Sequence, residues 1–292
     1  MMNTSVFFKT LAVLKVCLIS SAFVFRPEPQ GCCSVSAIQE FAALAKDAEF
    51  AQAHELPTDL LDKSFLKKGE MIEFPTLGEK ETGQAFVVRG KKKSNKYLFM
   101  VHEWWGLNDH IKSEAVKYQT ALGDDVTVIA LDLYDGNVAT TREDAQKYMQ
   151  GVDEGRARQI IHGAQVYAGD NAKIGTIGWC FGGGWSLQTA ILLGEYVEAC
   201  VIYYGMPEKE ESMLKRLDAP VLGIFAENDK WITPEVAKEF EGKLKKMDHP
   251  VETHIFPADH AFANPTSPRY HEESATKARA LTLEFLKKKM SL

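Results

Sequence analysis

Cysteine is scarce in this chain, five in 292 residues. Cys32 and Cys33 are adjacent, where a mutual bond would be strained, and the spacing of the others shows no disulfide framework. No Cys/His spacing resembles a zinc site, and no metal is expected. His102-Glu103 lacks the second histidine that a helical metalloprotease motif places four residues on. Positive charge is not in excess either. Lys and Arg number 34 against 40 Asp and Glu, a net charge of −6. Nucleic-acid binders are usually basic, and no basic patch here is interleaved with aromatics, so no nucleic-acid partner is expected. The run Lys91-Lys92-Lys93 falls between two strand-like segments and reads as a solvated hairpin turn. There is no internal repeat. The uncharged apolar run Val16 to Phe25 is ten residues, short of the about 20 that a membrane helix needs. With 45% hydrophobic and 25% charged residues, the composition is that of a soluble globular chain.

The N-terminus has its own texture. Lys9 and Lys15 flank apolar residues, Val16 to Phe25 follows, and Arg26-Pro27-Glu28-Pro29 ends the stretch. This suits a secretory signal. Residues 1–31 are therefore expected to be a leader that exports the protein to the periplasm or associates it with a membrane. The alternative is a disordered leader on a cytoplasmic enzyme. Residues 32–65 are expected to form a helical extension, since Ala37 to Phe65 is rich in Ala, Leu and Glu, with Pro57 interrupting. Residues 66–292 parse as one domain.

Within that domain, Met71 to Phe74 and Gln84 to Arg89 read as an antiparallel pair. From Tyr97 short apolar runs alternate with helical stretches. The runs are Tyr97 to Val101, Val126 to Leu131, Ile174 to Ile177, Ala199 to Tyr204, Val221 to Phe225 and Val251 to Phe256. Helices are expected at Ile111 to Leu122, Arg142 to Tyr167 with a bend near Gly151 and Gly155, Trp185 to Leu193, Glu208 to Leu217, Pro234 to Met247 and Tyr270 to Lys289. Such alternation predicts an α/β fold, a mostly parallel sheet with helices on both faces.

One segment carries the chemistry. Lys173 to Gly184 reads as strand, tight turn and helix entry, with Gly-x-Cys-x-Gly at the turn. That is the pattern of a nucleophile elbow with Cys180 at its apex. Gly178 and Gly182 suit the close approach of strand and helix, and the helix start would favour a thiolate. A nucleophilic thiol needs a base, and the base an orienting partner. In open α/β sheets functional groups collect beyond the carboxyl ends of strands. Beyond the predicted strands stand Glu103, Cys180, Asp229 and His260. Glu227 and Asp259 are rivals for the acid. The order Cys180, Asp229, His260 is the nucleophile–acid–base order of α/β-hydrolases. The backbone N–H groups of Phe181 and Trp104 would form the oxyanion hole. All five tryptophans lie within five residues of one of these positions, which points to an apolar pocket with Trp105, Trp179 and Trp231 against the substrate.

These residues together resemble the dienelactone hydrolase family. The resemblance rests on Glu103 to Gly106, Asp132-Leu133-Tyr134, Gly178-Trp179-Cys180-Phe181-Gly182-Gly183, Tyr203-Tyr204-Gly205, Asp229, and His260-Ala261-Phe262. It implies an α/β-hydrolase fold, no cofactor, and hydrolysis of a small ester or lactone through a thioester on Cys180. It implies that His260 and Asp229 complete a triad, and that Glu103 controls a thiol which rests protonated. One position departs from the pattern. Asn264 stands where the family places an arginine that pairs with the glutamate and helps bind a substrate carboxylate. Two other outcomes stay open: a hydrolase of other acyl or thioester substrates, and a non-catalytic binding protein on the same scaffold.

Overall fold

The apolar runs form the strands they predict, because a parallel sheet covered on both faces needs continuously apolar strands. The structure, a computed structural model, describes residues 36–55, 63–78 and 82–292. The leader, Cys17, Cys32, Cys33 and the expected interruption at Pro57 lie outside these residues.

Strands β1 (Glu70–Pro75) and β2 (Thr82–Val88) open an eight-stranded sheet that continues with β3 (Lys96–Val101), β4 (Val126–Leu131), β5 (Lys173–Trp179), β6 (Val197–Tyr203), β7 (Val221–Ala226) and β8 (Val251–Phe256). The spatial order is β1-β2-β4-β3-β5-β6-β7-β8. The β1/β2 and β2/β4 pairs are antiparallel and the rest are parallel. The chain is thus an α/β-hydrolase fold. The order reverses at β3, whose neighbours are β4 and β5. A reversal of this kind leaves a crevice beyond the strand ends, where ligands bind in open sheets.

The α-helices are α1 (Ala37–Leu44), α2 (Ala48–Ala53), α3 (Asp109–Leu122), α4 (Arg142–Gln150), α5 (Glu154–Ala168), α6 (Phe181–Leu193), α7 (Glu211–Leu214), α8 (Pro234–Lys246) and α9 (Glu272–Lys289), with short 3-10 turns at Lys63–Lys68 and Gly194–Tyr196. On one face α3 and α9 pack together; on the other α5 packs against α6, and α1 packs on α4 and α6. No helix among the described residues is long and apolar enough to cross a membrane.

Three helical expectations change. Arg142 to Tyr167 is two helices, because the Asp153 carboxylate accepts the Arg156 N–H at 2.6 Å and starts α5 afresh. Glu208 to Leu217 shrinks to the single turn of α7. There the Glu208 carboxylate accepts the N–H groups of Lys209 and Glu210 at 2.8 and 2.9 Å, a local bond that competes with helix formation. The N-terminal helix breaks before α2, where Asp47 accepts the Glu49 N–H at 2.7 Å and acts as N-cap.

Candidate active site

Register places the reactive groups. Val101 pairs with Gly178, so the turns after β3 and β5 emerge side by side and bring Glu103 to Cys180. Ala226 pairs with Phe256, so the turns after β7 and β8 bring Asp229 to His260.

Cys180 sits at φ 55°, ψ −119°, a strained backbone for a residue with a side chain. Its N–H is held by the Tyr203 carbonyl at 2.9 Å. A Cβ on Gly178 would lie 1.9 Å from the Gly182 oxygen, and one on Gly182 would lie 2.3 Å from the Val101 oxygen. Both approaches exclude any other residue, which is why the elbow reads Gly-x-Cys-x-Gly. The Cys180 side chain is buried, as is Cys200 in β6.

His260 Nδ1 and Asp229 Oδ2 are 2.5 Å apart and buried. The other Asp229 oxygen accepts the N–H groups of Trp231 and Ile232, each at 3.0 Å, which fixes the carboxylate. The rivals Glu227 and Asp259 are exposed.

Glu103 is buried with one oxygen accepting from Asn264 Nδ2 at 2.5 Å and the other without a partner. The Asn264 carbonyl takes the Thr266 N–H and hydroxyl at 2.8 and 2.7 Å, so its NH2 must face Glu103. Asn264 thus steadies the glutamate as a neutral donor. The Asp132-Leu133-Tyr134 motif supports the same turn from behind. His102 Nε2 accepts the Leu133 N–H at 3.2 Å, and the Tyr134 hydroxyl donates to the Trp104 carbonyl at 3.2 Å.

A second histidine, which the sequence did not single out, completes the site. His54 follows α2, and its Nε2 lies 3.6 Å from Cys180 Sγ. Cys180 Sγ and one ring nitrogen each of His54 and His260 all fall within 4.8 Å of one another. Their donor types alone would suit a soft metal ion. The Asp229 carboxylate behind His260 equally suits proton transfer.

The cavity is small, about 10 Å³, roughly the room for one water. His54, Glu103, Trp104, Trp105, Cys180 and Asn264 line it, whereas Trp179 and Trp231 do not. Trp179 packs on Tyr203 at 5.6 Å, and Trp231 stands edge-on to Phe50 at 5.2 Å. Phe181 begins α6 with its N–H beside the thiol, and the Trp104 ring lies 4.5 Å from that of His54.

Burial dominates the electrostatics. It raises the Cys180 thiol, against the opposing pull of His260 and the Phe181 N–H. The helix start pulls toward a thiolate as expected, through the Phe181 N–H, but in this dry site desolvation outweighs it. Burial opposes a charge on His260 too, yet the Asp229 carboxylate and Cys180 raise it to about 10. Burial, then the neighbouring His260, lowers His54 to about 3. Burial pushes Glu103 up to about 7, with the Asn264 hydrogen bond opposing.

The Glu103 shift has a consequence for stability. The folded state holds the Glu103 proton more tightly than the unfolded chain does. Its stabilising effect is therefore complete below the ordinary value of 4.5 and is lost as pH rises through about 7. Glu103→Gln, which imitates the protonated acid, should gain on the wild type over that interval, by on the order of 3 kcal/mol between pH 4 and pH 8. Denaturant unfolding of both proteins across this range measures the gain. A difference that does not change with pH would contradict the raised Glu103.

Comparison with known proteins then places this geometry. The family model described as "Dienelactone hydrolase family" matches residues 84–290. The chain belongs to the dienelactone hydrolase family. It is 26% identical over 230 residues to "Protein usf" of Aquifex pyrophilus, covering 75% of this chain and 98% of that protein. It is 25% identical over 219 residues to "Carboxymethylenebutenolidase 1" of Cupriavidus pinatubonensis, covering 69% of this chain and 90% of the relative. Among solved structures, a dienelactone hydrolase-like promiscuous phosphotriesterase from metagenomic libraries shares the fold, with a TM-score of 0.64 at 17% identity over 76% of this chain and 99% of that one. As a member of the dienelactone hydrolase family the chain is a hydrolase. The family match begins at Gln84, so α1, α2 and His54 lie outside it. No sequence pattern tied His54 to the site, because its contact with Cys180 spans 126 positions and arises only from the docking of α2.

Proposed function

We propose that this chain hydrolyses uncharged carboxylic esters or lactones through a thioester on Cys180. The observation that supports this most is the strained Cys180 elbow facing the His260–Asp229 pair, with a buried Glu103 in the same cavity. The chemistry follows from the charge states. Asp229 keeps His260 protonated, so His260 is a poor acceptor for the thiol proton but a good partner for a thiolate. Glu103, near 7, is the acceptor. The thiol proton passes to Glu103, and Sγ attacks the acyl carbon. The oxyanion is received by the N–H groups of Phe181 and Trp104. The C–O bond breaks as His260 gives its proton to the leaving alkoxide, and the alcohol departs. Neutral His260 then takes a proton from water, whose oxygen attacks the thioester. The acid leaves, and Glu103 returns its proton to sulfur.

The lining supports the substrate charge. It includes the carboxyl groups of Glu55 and Glu103 and no lysine or arginine. A substrate carboxylate would meet two carboxyl groups and no lysine or arginine in this lining, which disfavours an anion. The enclosed space, about 10 Å³, is smaller than an ester, so substrate entry calls for movement of the lining side chains. The test is a comparison of kcat/KM for a neutral aryl acetate and an anionic dienelactone. The neutral ester should be favoured by at least about tenfold, a difference of about 1.4 kcal/mol. Preference for the anion would overturn the substrate class, and turnover of neither would count against the hydrolytic reading.

A further inference from the structure

The placement of His54 is built from several contacts. Asp47 caps α2, and the buried Phe50 meets Trp104 and Trp231 edge-on at 5.8 and 5.2 Å. Each such aromatic contact is worth about 0.5–1.5 kcal/mol beyond burial. Arg142 Nε donates to the His54 carbonyl at 2.9 Å. His54 Nδ1 lies 2.8 Å from the Phe50 carbonyl. A carbonyl only accepts, so Nδ1 carries the ring proton and Nε2 presents a bare lone pair. That lone pair faces Sγ at 3.6 Å, a distance at which a thiol donates to nitrogen. His260 acts on the same sulfur and pulls it toward the thiolate, so the two histidines oppose each other there.

We propose that His54 is a catalytic residue whose Nε2 accepts the Cys180 S–H, so that the N-terminal segment holds the nucleophile as a thiol until substrate enters. This rests on Cys180 being the nucleophile. When substrate enters, the S–H···Nε2 bond breaks and the proton goes to Glu103 as sulfur attacks. When the thiol is re-formed, it donates to Nε2 again. His54 gains and loses no proton in the cycle.

An acceptor that bonds to the neutral thiol disfavours the thiolate. The groups facing Cys180 are His54, His260 with Asp229 behind it, Glu103, Tyr134 and Tyr204; Arg269 faces His54. Changing His54 alone leaves the rest in place. His54→Phe keeps a ring between Trp104 and His260 without an acceptor, whereas His54→Gln keeps a carbonyl acceptor. The experiment is iodoacetamide alkylation of Cys180 in the full chain across pH, read by mass spectrometry. His54→Phe should shift the profile to lower pH and react about tenfold faster at pH 7, with His54→Gln within about twofold of wild type. A His54→Phe profile that superimposes on the wild type would overturn the proposal.

The infrared S–H stretch of the wild type, assigned by its loss in Cys180→Ser, gives a reading that does not depend on the folding of His54→Phe. A red-shifted, intensified band supports the bond to His54, and a band at the position of a free thiol overturns it. Neither readout uses turnover, so failure of the hydrolytic reading would remain a separate result.

Discussion

Cys180→Ala should abolish ester turnover, with kcat/KM falling on the order of 10⁴- to 10⁶-fold. No other thiol lines the cavity, and the hydroxyl of Thr266 is committed to Asn264. Cys200 is buried in β6 and bonded into the Ser186–Thr176 network, away from the cavity lining. The oxyanion donors and the pocket remain in the variant, so its residual rate should exceed that of water alone. Folding should be retained. The elbow is held by the backbone bond to Tyr203 and by the glycines, and the thiol's bond to His54, at 3.6 Å, is weak. Steady-state hydrolysis with a thermal melt beside it checks both parts. Activity within tenfold of wild type would mean that Cys180 is not the nucleophile.

Asp229→Asn should cost about 10³- to 10⁴-fold in kcat with little change in KM. The amide oxygen can keep the bonds from Trp231 and Ile232, so the turn should hold its shape. The NH2 group would then face His260 Nδ1. That contact is satisfied only if Nδ1 loses its proton and Nε2 carries it, which is the wrong tautomer for accepting a proton from water. The variant also removes the charge that raises His260 to about 10. The pH–rate profile should therefore change shape as well as height. A loss of less than tenfold would return Asp229 to a role in the turn alone.

Most of the fold could be read from the sequence, because its signals are local. Uninterrupted apolar runs such as Ile174 to Ile177 define buried strands, and the alternation with helices sets the parallel sheet. The elbow was legible for the same reason: the Cys180 turn brings strand and helix so close that Gly178 and Gly182 are required. Asp229 and His260 were candidates by their places beyond strand ends, and register brings the two together. The misreadings come where side chains bond to nearby backbone, as Asp153 and Glu208 do. Asn264 was legible as a departure from the family pattern. That its amide holds Glu103 needed Thr266, which only the folded loop brings to its carbonyl. His54 was beyond sequence reasoning altogether, because the docking of Phe50 against Trp104 and Trp231 is a tertiary event.

The most direct test of the account is the intact mass of the wild-type protein, mixed with an aryl acetate and quenched in acid within its first turnovers. One acetyl group should be found, mapped to the Cys180 peptide, lost on treatment with hydroxylamine and absent from Cys180→Ala. Turnover without an adduct on Cys180, or an acetyl group on another residue, would contradict thioester catalysis at this elbow.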